Sequence, residues 1–166
     1  YNGRVKNRRK RNKKILIWQY VIGIGILLTV LAFSLLNLFN LSMEPYRAAR
    51  SNSIELARKY AGVSKVDSFG IYNGDKTYYS LLGETDQEKK KAVLIEKGSD
   101  KIFVYELSDG ASKKEAERIA RKNGADAIDK VTFGYLNGRP IWEVKSGKSY
   151  YIVDFEKRKL LSKEGL

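Results

Sequence analysis

Carboxylates are the only side chains here that could supply acid–base catalysis, because the chain contains no Cys and no His. Without these residues there is no thiol nucleophile, no imidazole base and no Cys- or His-ligated metal site. Asp and Glu could still form a general acid–base pair or bind an oxygen-ligated ion such as calcium. The possible chemistry is therefore carboxylate chemistry, and the absence of catalysis is the favoured interpretation.

Two groups of acids are candidates for such a site. Glu84, Asp86 and Glu88 alternate along the chain and could bind calcium, but three lysines follow directly and no loop glycine matches an EF-hand. A solvated hairpin loop is the favoured interpretation. Asp126 and Asp129 flank a predicted helix-to-strand connection and are typical of turns. We therefore predict no catalytic, cofactor-binding or metal-binding residues and no cofactor, and the sequence identifies no partner-binding residues.

The positive charge is concentrated at the N-terminus. The chain carries 32 Lys and Arg against 19 Asp and Glu, a net charge of +13. Residues 1–14 hold eight bases and no acid, and the surplus from residue 37 onward is only +5. Such asymmetry indicates a nucleic acid or a membrane as a neighbour.

The segment after this basic tail favours the membrane. Residues 15–43 carry no charge, and about 20 apolar residues in a helix suffice to cross a hydrocarbon core of about 30 Å. Trp18 and Tyr20 lie near the basic end, where aromatic rings suit the headgroup region. We predict a transmembrane helix over residues 15–39, because a cleaved signal peptide would have a shorter apolar stretch and a buried soluble helix would need a larger core.

The basic tail also predicts the orientation. Lys and Arg beside a span are retained on the cytoplasmic side. Residues 1–14 are therefore predicted to be a cytoplasmic tail, with residues 41–166 outside the cell. The lipid bilayer is thus a predicted partner. Nucleic acid is not, because membrane retention alone explains these charges.

The outer part contains two similar units, predicted as domains over residues 42–108 and 111–166. Five residues of the first recur at an offset of 64 in the second: Phe69, Gly70, Asn73, Gly74 and Tyr78 match Phe133, Gly134, Asn137, Gly138 and Trp142. Residues 92–96 then match 150–154 at an offset of 58, and 102–103 match 160–161. The offset thus decreases by six residues, and we place these six extra residues of the first unit in its charged loop 84–91.

These patterns predict an α+β fold: one transmembrane helix followed by two tandem α-βββ units, each an antiparallel sheet covered by one helix. In the second unit, Ser112 and Glu115 fit a capping box that begins a helix. Asn137-Gly138 is a strong two-residue hairpin signal, which pairs Phe133 with Trp142 and Val131 with Val144. Units of about 60 residues are small, so we expect the two to pack on one another.

The first unit is less regular. Its helix is predicted from Pro45 to about Tyr60, nearly continuous with the span, with Leu56, Ala57 and Tyr60 on its apolar side. A two-residue turn at Asn73-Gly74 would pair Phe69 with Tyr78. Asp67 would then take the position that Val131 has in the second unit, unless a bulge displaces it.

The chain is rich in rings, with 11 Tyr, 6 Phe and 2 Trp. The doublets Tyr78-Tyr79 and Tyr150-Tyr151 should send one ring to each face of their sheets. The favoured interpretation is that the inner rings fill the core and the outer ones decorate the strands. The alternative is an outward row of rings that docks another protein, since Tyr and Trp are enriched at interfaces.

Three segments of the second unit resemble a known family: Ser-Lys-Lys-Glu-Ala-Glu-Arg-Ile-Ala (112–120), Asn-Gly-Arg-Pro-Ile-Trp-Glu-Val (137–144) and Tyr-Tyr-Ile-Val-Asp-Phe (150–155). With the basic tail and the span, the chain resembles the TseB/YpmB family of bacterial cell-wall elongation regulators, whose outer units look like PepSY-type, cystatin-like domains. The resemblance implies a membrane-anchored, non-enzymatic protein of Gram-positive bacteria. It also implies a link to a membrane-bound penicillin-binding protein, a peptidoglycan transpeptidase, as partner.

Other functions remain open on the sequence alone. The +5 surplus beyond the span could bind an anionic wall polymer. PepSY-type units sometimes act as protease-inhibitory modules. An enzyme that uses a carboxylate pair is the least favoured hypothesis.

Overall fold

The computed structural model describes the backbone of residues 2–165 and the side chains of residues 14–165. The side chains of residues 1–13, almost all of the predicted basic tail, lie outside the described residues. The chain divides into two compact units, Tyr1–Arg47 and Ala48–Leu166.

The first helix, α1, runs over Asn2–Ala61. Its apolar side chains between residues 15 and 41 are all exposed, and among the described residues it is the one helix long and apolar enough to cross a membrane. This helix fits single-pass anchoring. Pro45 lies inside α1, so the predicted helix start at Pro45 is wrong, whereas the expectation that this helix is nearly continuous with the span is confirmed.

Two four-stranded antiparallel sheets follow, each with a helix nearby, which confirms the predicted fold class. The first has the order β1-β2-β3-β4 and the second the order β5-β6-β7-β8. Each sheet has one strand more than the three predicted. In chain order the elements are β1 Val63–Asn73, β2 Thr77–Thr85, β3 Lys90–Glu96, β4 Ile102–Glu106, a 3-10 turn at Leu107–Asp109, α2 Lys113–Lys122, β5 Lys130–Leu136, β6 Arg139–Ser146, β7 Ser149–Asp154 and β8 Lys159–Gly165.

We call residues 48–110 the first repeat and residues 111–165 the second repeat. In the second repeat the predicted helix cap and hairpin pairing are confirmed, whereas the Glu115 carboxylate pairs with Arg158 at 2.9 Å instead of completing the predicted capping box. The Ser112 hydroxyl accepts a hydrogen bond of 3.1 Å from the backbone N–H of Glu115 and so caps α2. Phe133 pairs with Trp142 and Val131 with Val144 across the Asn137-Gly138 turn, whose residues have φ of 50° and 78°.

In the first repeat the predicted hairpin register is wrong. Phe69 pairs with Leu81, and Tyr72 pairs with Tyr78, so three residues rather than two connect β1 to β2. The longer loop is closed by the Asn73 side-chain oxygen, which accepts a hydrogen bond of 3.0 Å from the Thr77 hydroxyl. The register shifts between residues 66 and 68, which leaves Asp67 exposed; the expected bulge is confirmed.

Part of the predicted loop 84–91 is paired strand. Glu84 lies opposite Lys90, and Gly83 lies opposite Lys91. Opposite charges at facing positions stabilise a strand pair, so the two strands extend outward and leave only a short exposed turn at residues 86–89. The first repeat is therefore longer than the second because its hairpin is longer.

Both faces of the first sheet make packing contacts. Its outer face packs against the last turns of α1, where Ala57, Leu81 and Val93 are fully buried. Its inner face packs against the second repeat in one continuous core that includes Tyr72, Tyr78, Leu94, Phe133, Trp142, Tyr151, Val153 and Phe155. The expectation that the two units pack on one another is confirmed.

Strand β5, an edge of the second sheet, contacts β1, β2 and β3 of the first. On one side of it the rings of Phe103 and Tyr135 stack at 4.5 Å between centroids, and those of Tyr78 and Tyr135 meet edge-on at 5.6 Å. On the other side the Tyr72 ring lies so close to Gly134 that a Cβ there would come within 2.6 Å of it. Because glycine has no side chain, position 134 leaves room for the Tyr72 ring to pack against β5.

The connection between the repeats is pinned to the second sheet. The N–H of Ala111 donates a 2.7 Å hydrogen bond to the carbonyl of Phe155. The Ala111 carbonyl in turn accepts a buried 2.7 Å hydrogen bond from Nε1 of Trp142. A Cβ on Gly110 would collide with the Phe155 carbonyl and ring.

Gly134→Ala tests the packing between the repeats, and Gly70→Ala, the matching position of the first repeat, is its control. We expect Gly134→Ala to lower the free energy of unfolding by about 1–3 kcal/mol, because the new methyl group overpacks Tyr72. A Cβ at Gly70 would meet only the Thr132 methyl at 3.8 Å, so Gly70→Ala should change stability by less than about 1 kcal/mol. Denaturation of the full chain in detergent micelles measures both, and equal effects would contradict the packing described.

The buried tyrosines predict a loss of stability at alkaline pH. Burial raises the pKa of Tyr72 to about 12 and that of Tyr105 to about 12. Because an unfolded tyrosine ionises near pH 10, the unfolded state loses these protons first as the pH rises. Stability should therefore be complete below about pH 10 and fall as the pH rises toward about 12.

Tyr72→Phe should flatten this fall in stability, whereas Tyr60→Phe, which removes an exposed phenol, should not. Denaturant midpoints measured between neutral and alkaline pH decide the matter. An unchanged alkaline slope in Tyr72→Phe would contradict the burial of this phenol.

Candidate functional site

The rings of the two repeats do not form an outward row on the sheets. Tyr78 packs in the inner core and Tyr79 beside the outer one, which confirms the prediction that the doublet splits between faces. Most other rings lie between the repeats. Among the aromatic side chains of residues 48–165, Tyr60 alone is more than half exposed, at 59%.

Tyr60 borders a groove of about 870 Å³ between the end of α1 and the outer face of the first sheet. The sides are formed by α1 and β4, and the floor by β2 and β3. The lining residues are Asn52, Leu56, Tyr60, Tyr79, Ile95, Glu96, Gly98, Ser99, Asp100, Ile102 and Val104.

Regular spacing positions the walls of the groove. Asn52, Leu56 and Tyr60 follow one another at four-residue intervals and so lie on one face of α1. Ile102 and Val104 alternate along β4 and so point to one face of the sheet. The small buried residues of α1 draw the helix onto the sheet beside β2 and β3, and Val104 on β4 stays 39% exposed.

One end of the groove is acidic. The Glu96 carboxylate, with its side chain 11% exposed, lies 2.6 Å from Nζ of Lys76. Hydrogen bonding to Glu96 raises the pKa of Lys76 above its ordinary value. Asp100 is exposed at the neighbouring turn. The lining contains these two acids together with Asn52 and Ser99. Because Lys76 pairs with Glu96, the groove has mixed polar and apolar walls, and the exposed Asp100 supplies the negative charge at this end.

The sequence placed Tyr60 on the apolar side of its helix but did not identify the groove. Ala57 is buried and Leu56 half-buried, as predicted, whereas Tyr60 is exposed with Nζ of Lys59 at 5.1 Å from its ring centroid. The useful signal was the helical spacing of residues 52, 56 and 60 together with the alternation of 102 and 104. This spacing identifies a groove only when the position of β4 relative to α1 is also known, and the sequence does not give that position.

The acidic candidates do not form a metal centre in the part of the chain whose side chains are described. No three acidic side chains in residues 14–165 converge on a common point. Asp126 and Asp129 border a smaller cavity of about 350 Å³ together with Lys163. Asp129 accepts a 2.7 Å hydrogen bond from the N–H of Gly147, in the loop between β6 and β7. The role of Asp126 and Asp129 as turn residues stays a prediction. The groove is therefore the strongest candidate for a functional site, and its side chains are suited to binding.

Comparisons with known proteins bear on this region. Residues 52–96 match the model of the "Cell wall elongation regulator TseB-like domain". The YpmB protein from Bacillus subtilis is similar in structure, with a TM-score of 0.61 and 23% sequence identity over 70% of this chain and 96% of that one. A candidate lipoprotein from Clostridium difficile 630 aligns with a TM-score of 0.38 and 14% identity over 70% of this chain and 92% of that one. No curated protein matches the sequence.

The family match over residues 52–96 confirms the resemblance to the TseB/YpmB family that the sequence predicted, and the likeness to YpmB shows a similar fold. The match lies in the first repeat, although the motifs quoted for the resemblance lie in the second. It covers α1 from Asn52 onward, together with β1, β2 and β3.

Proposed function

We propose that this chain, a TseB/YpmB-like protein by its first repeat, is a single-pass membrane-anchored regulator of bacterial cell-wall elongation. It acts without catalysis, by contact of its C-terminal domains with a membrane-bound penicillin-binding protein. The domains are those predicted, 42–108 and 111–166, with residues 15–39 as the anchor. The basic tail of residues 1–14 stays in the cytoplasm, because positive charges beside a span are retained there.

One observation supports this proposal above the others: the family match and the groove overlap. Asn52, Leu56, Tyr60, Tyr79, Ile95 and Glu96 lie inside the matched segment, and the remaining lining residues follow within eight positions of its end. An exposed tyrosine beside apolar side chains is typical of a protein-binding surface. The matched segment thus contains the surface best suited to hold a partner.

Anchoring supports the same function. A protein held in the bilayer meets other membrane-held proteins at a raised effective concentration, so a modest groove can provide sufficient affinity. The chemistry of the chain also favours binding over catalysis, because the sequence has no Cys or His and no acidic cluster occurs among the side chains of residues 14–165.

Tyr60→Ala tests the groove. We expect its loss to weaken the complex by about thirtyfold, the equivalent of about 2 kcal/mol for a central tyrosine. The measurement is crosslinking of the full-length chain to penicillin-binding proteins in the membrane, together with cell length and the rate of wall incorporation. Leu161→Ala is the control, because Leu161 is an exposed apolar residue of the second repeat and lies outside the groove.

Each result has a clear meaning. Reduced crosslinking and altered elongation in Tyr60→Ala, with a normal Leu161→Ala, would support the proposal. If deletion of the whole gene leaves elongation unchanged, or if no wall-synthesis enzyme is crosslinked to the intact chain, the proposal is wrong.

The charge distribution favours a second candidate function, binding of an anionic wall polymer by the second repeat. Residues 48–110 contain ten bases and ten acids, whereas residues 111–166 contain thirteen bases and eight acids. The entire +5 surplus beyond the span therefore lies in the second repeat. Phosphate-rich polymers of the wall would be attracted to such a surface.

Poly(glycerol phosphate) is a suitable probe for this second candidate. Binding to the full chain in micelles should weaken steeply with salt, because the screening length falls from about 30 Å at 0.01 M to about 3 Å at 1 M. Lys113→Gln with Lys114→Gln should reduce binding, whereas Lys89→Gln with Lys90→Gln in the neutral first repeat should not. Equal losses in both pairs, or binding that is insensitive to salt, would contradict it.

A further inference from the structure

The four outer edges of the two sheets are unequal. The edge at β1 has two register shifts and carries Lys65 and Asp67. The β8 edge has one shift and carries three charged residues. The β5 edge is covered by the first sheet. Bulges, charges and covering are the devices by which proteins protect edge strands from pairing with other chains.

Strand β4 lacks these devices. Residues 102–106 of β4 pair with residues 91–95 of β3 without a register shift. The sequence of β4, Ile-Phe-Val-Tyr-Glu, has one charged residue, at its end. Strand β4 is an edge strand of the first sheet and pairs there with β3. The corresponding strand of the second repeat, β8, reads Lys-Leu-Leu-Ser-Lys-Glu-Gly, so the repeats differ in this property although their topology is the same.

The hydrogen-bond register shows which main-chain groups of β4 are available. The N–H of Glu96 donates to the carbonyl of Lys101 at 3.1 Å. Since main-chain groups alternate in direction along an antiparallel strand, residues 101, 103 and 105 face β3, and the N–H and C=O groups of Ile102 and Val104 point away from it. A further strand could pair with these groups.

The same two residues carry side chains that line the groove. A strand added beside β4 would therefore border the groove along its β4 side, and its alternate side chains would lie beside those of Ile102 and Val104. Main-chain pairing with pockets for alternate side chains is a known way of recognising extended peptides. Glu96 is already paired with Lys76, but the exposed Asp100 of the lining favours a basic residue at one end of such a peptide.

We infer that the groove recognises its partner by β-strand addition: an extended segment with alternating apolar side chains and a Lys or Arg near one end pairs with β4. This inference rests on the proposed function, because it states how the regulator holds its partner. A second copy of the chain, which would pair this edge with itself, is the alternative occupant that the test below distinguishes.

The test uses the full-length chain in lipid nanodiscs and the capped peptide Lys-Val-Thr-Val-Thr-Val at millimolar concentration. We expect hydrogen exchange at the N–H groups of Ile102 and Val104 to slow by about tenfold or more, as new hydrogen bonds form, with no change along β8. A peptide with Glu in place of Lys should bind more weakly at low salt. Unchanged exchange at Ile102 and Val104 with saturating peptide would overturn the inference.

Val104→Pro separates main-chain pairing from mere apolar contact. It removes one outward N–H that the sheet does not use, so the fold should be kept, and loss of one hydrogen bond should weaken binding by about tenfold. Val104→Lys, which keeps the backbone N–H, measures the side-chain contribution by itself. If the proline variant does not fold, hydrogen exchange at Ile102 and Val104 remains the test of main-chain pairing. Leu161→Lys is the matched control, because Leu161 and Val104 are exposed to 38% and 39%.

The outcomes distinguish this inference from the proposed function. If Tyr60→Ala weakens capture of the wall enzyme but Val104→Pro and Val104→Lys do not, the regulator stands and strand addition is wrong. If the chain forms a dimer without peptide and Val104→Pro dissociates it, the edge binds a second copy and the inference is also wrong. Stronger weakening by Val104→Pro than by Val104→Lys, with a normal Leu161→Lys, supports it, and equal weakening by both would indicate apolar contact alone and contradict it.

Discussion

The edge of β5 lies against the inner face of the first sheet, and this contact determines which surfaces of both repeats are buried. An exposed edge of a sheet carries unpaired main-chain groups and tends to pair with other chains. Here the first repeat covers the edge with rings on both sides, Tyr72 on one and Tyr78 with Phe103 on the other. Neither repeat would have a complete core without the other.

Two similar repeats thus take different roles. The second contributes its edge strand and, at Gly134, the space for Tyr72. The first has its inner face occupied by this packing and its outer face partly covered by α1, which leaves the groove beside β4. A repeated sequence pattern therefore produces one recognition surface, because the packing is asymmetric.

The fold class and the second repeat could be predicted from sequence because their signals are local. A capping serine specifies the start of α2, and an Asn-Gly turn with strict alternation specifies the β5–β6 pairing. Each signal lies within a few residues of the element that it specifies. The first hairpin could not be predicted so well. Its Asn73-Gly74 dipeptide resembles the later turn, but the Asn73–Thr77 hydrogen bond and the bulge at Asp67 set another register.

The groove lay beyond sequence reasoning for a different reason. Its walls come from α1 and β4, which are about 45 residues apart in the chain, and no local pattern shows that these two segments lie side by side. The exposure of Tyr60 depends on how far the helix reaches across the sheet. Periodicity identified the faces of each element, but tertiary packing decided which parts of those faces stayed uncovered.

The extended β2–β3 hairpin offers a practical opportunity. Its exposed tip closes on itself through hydrogen bonds between Thr85 and Lys89 and between Glu88 and Thr85, and its residues 86–89 belong to neither core and to neither cavity. Surface turns of this kind tolerate added sequence. A short epitope or a fluorogenic peptide inserted there would leave the groove intact and allow the working molecule to be followed in living cells.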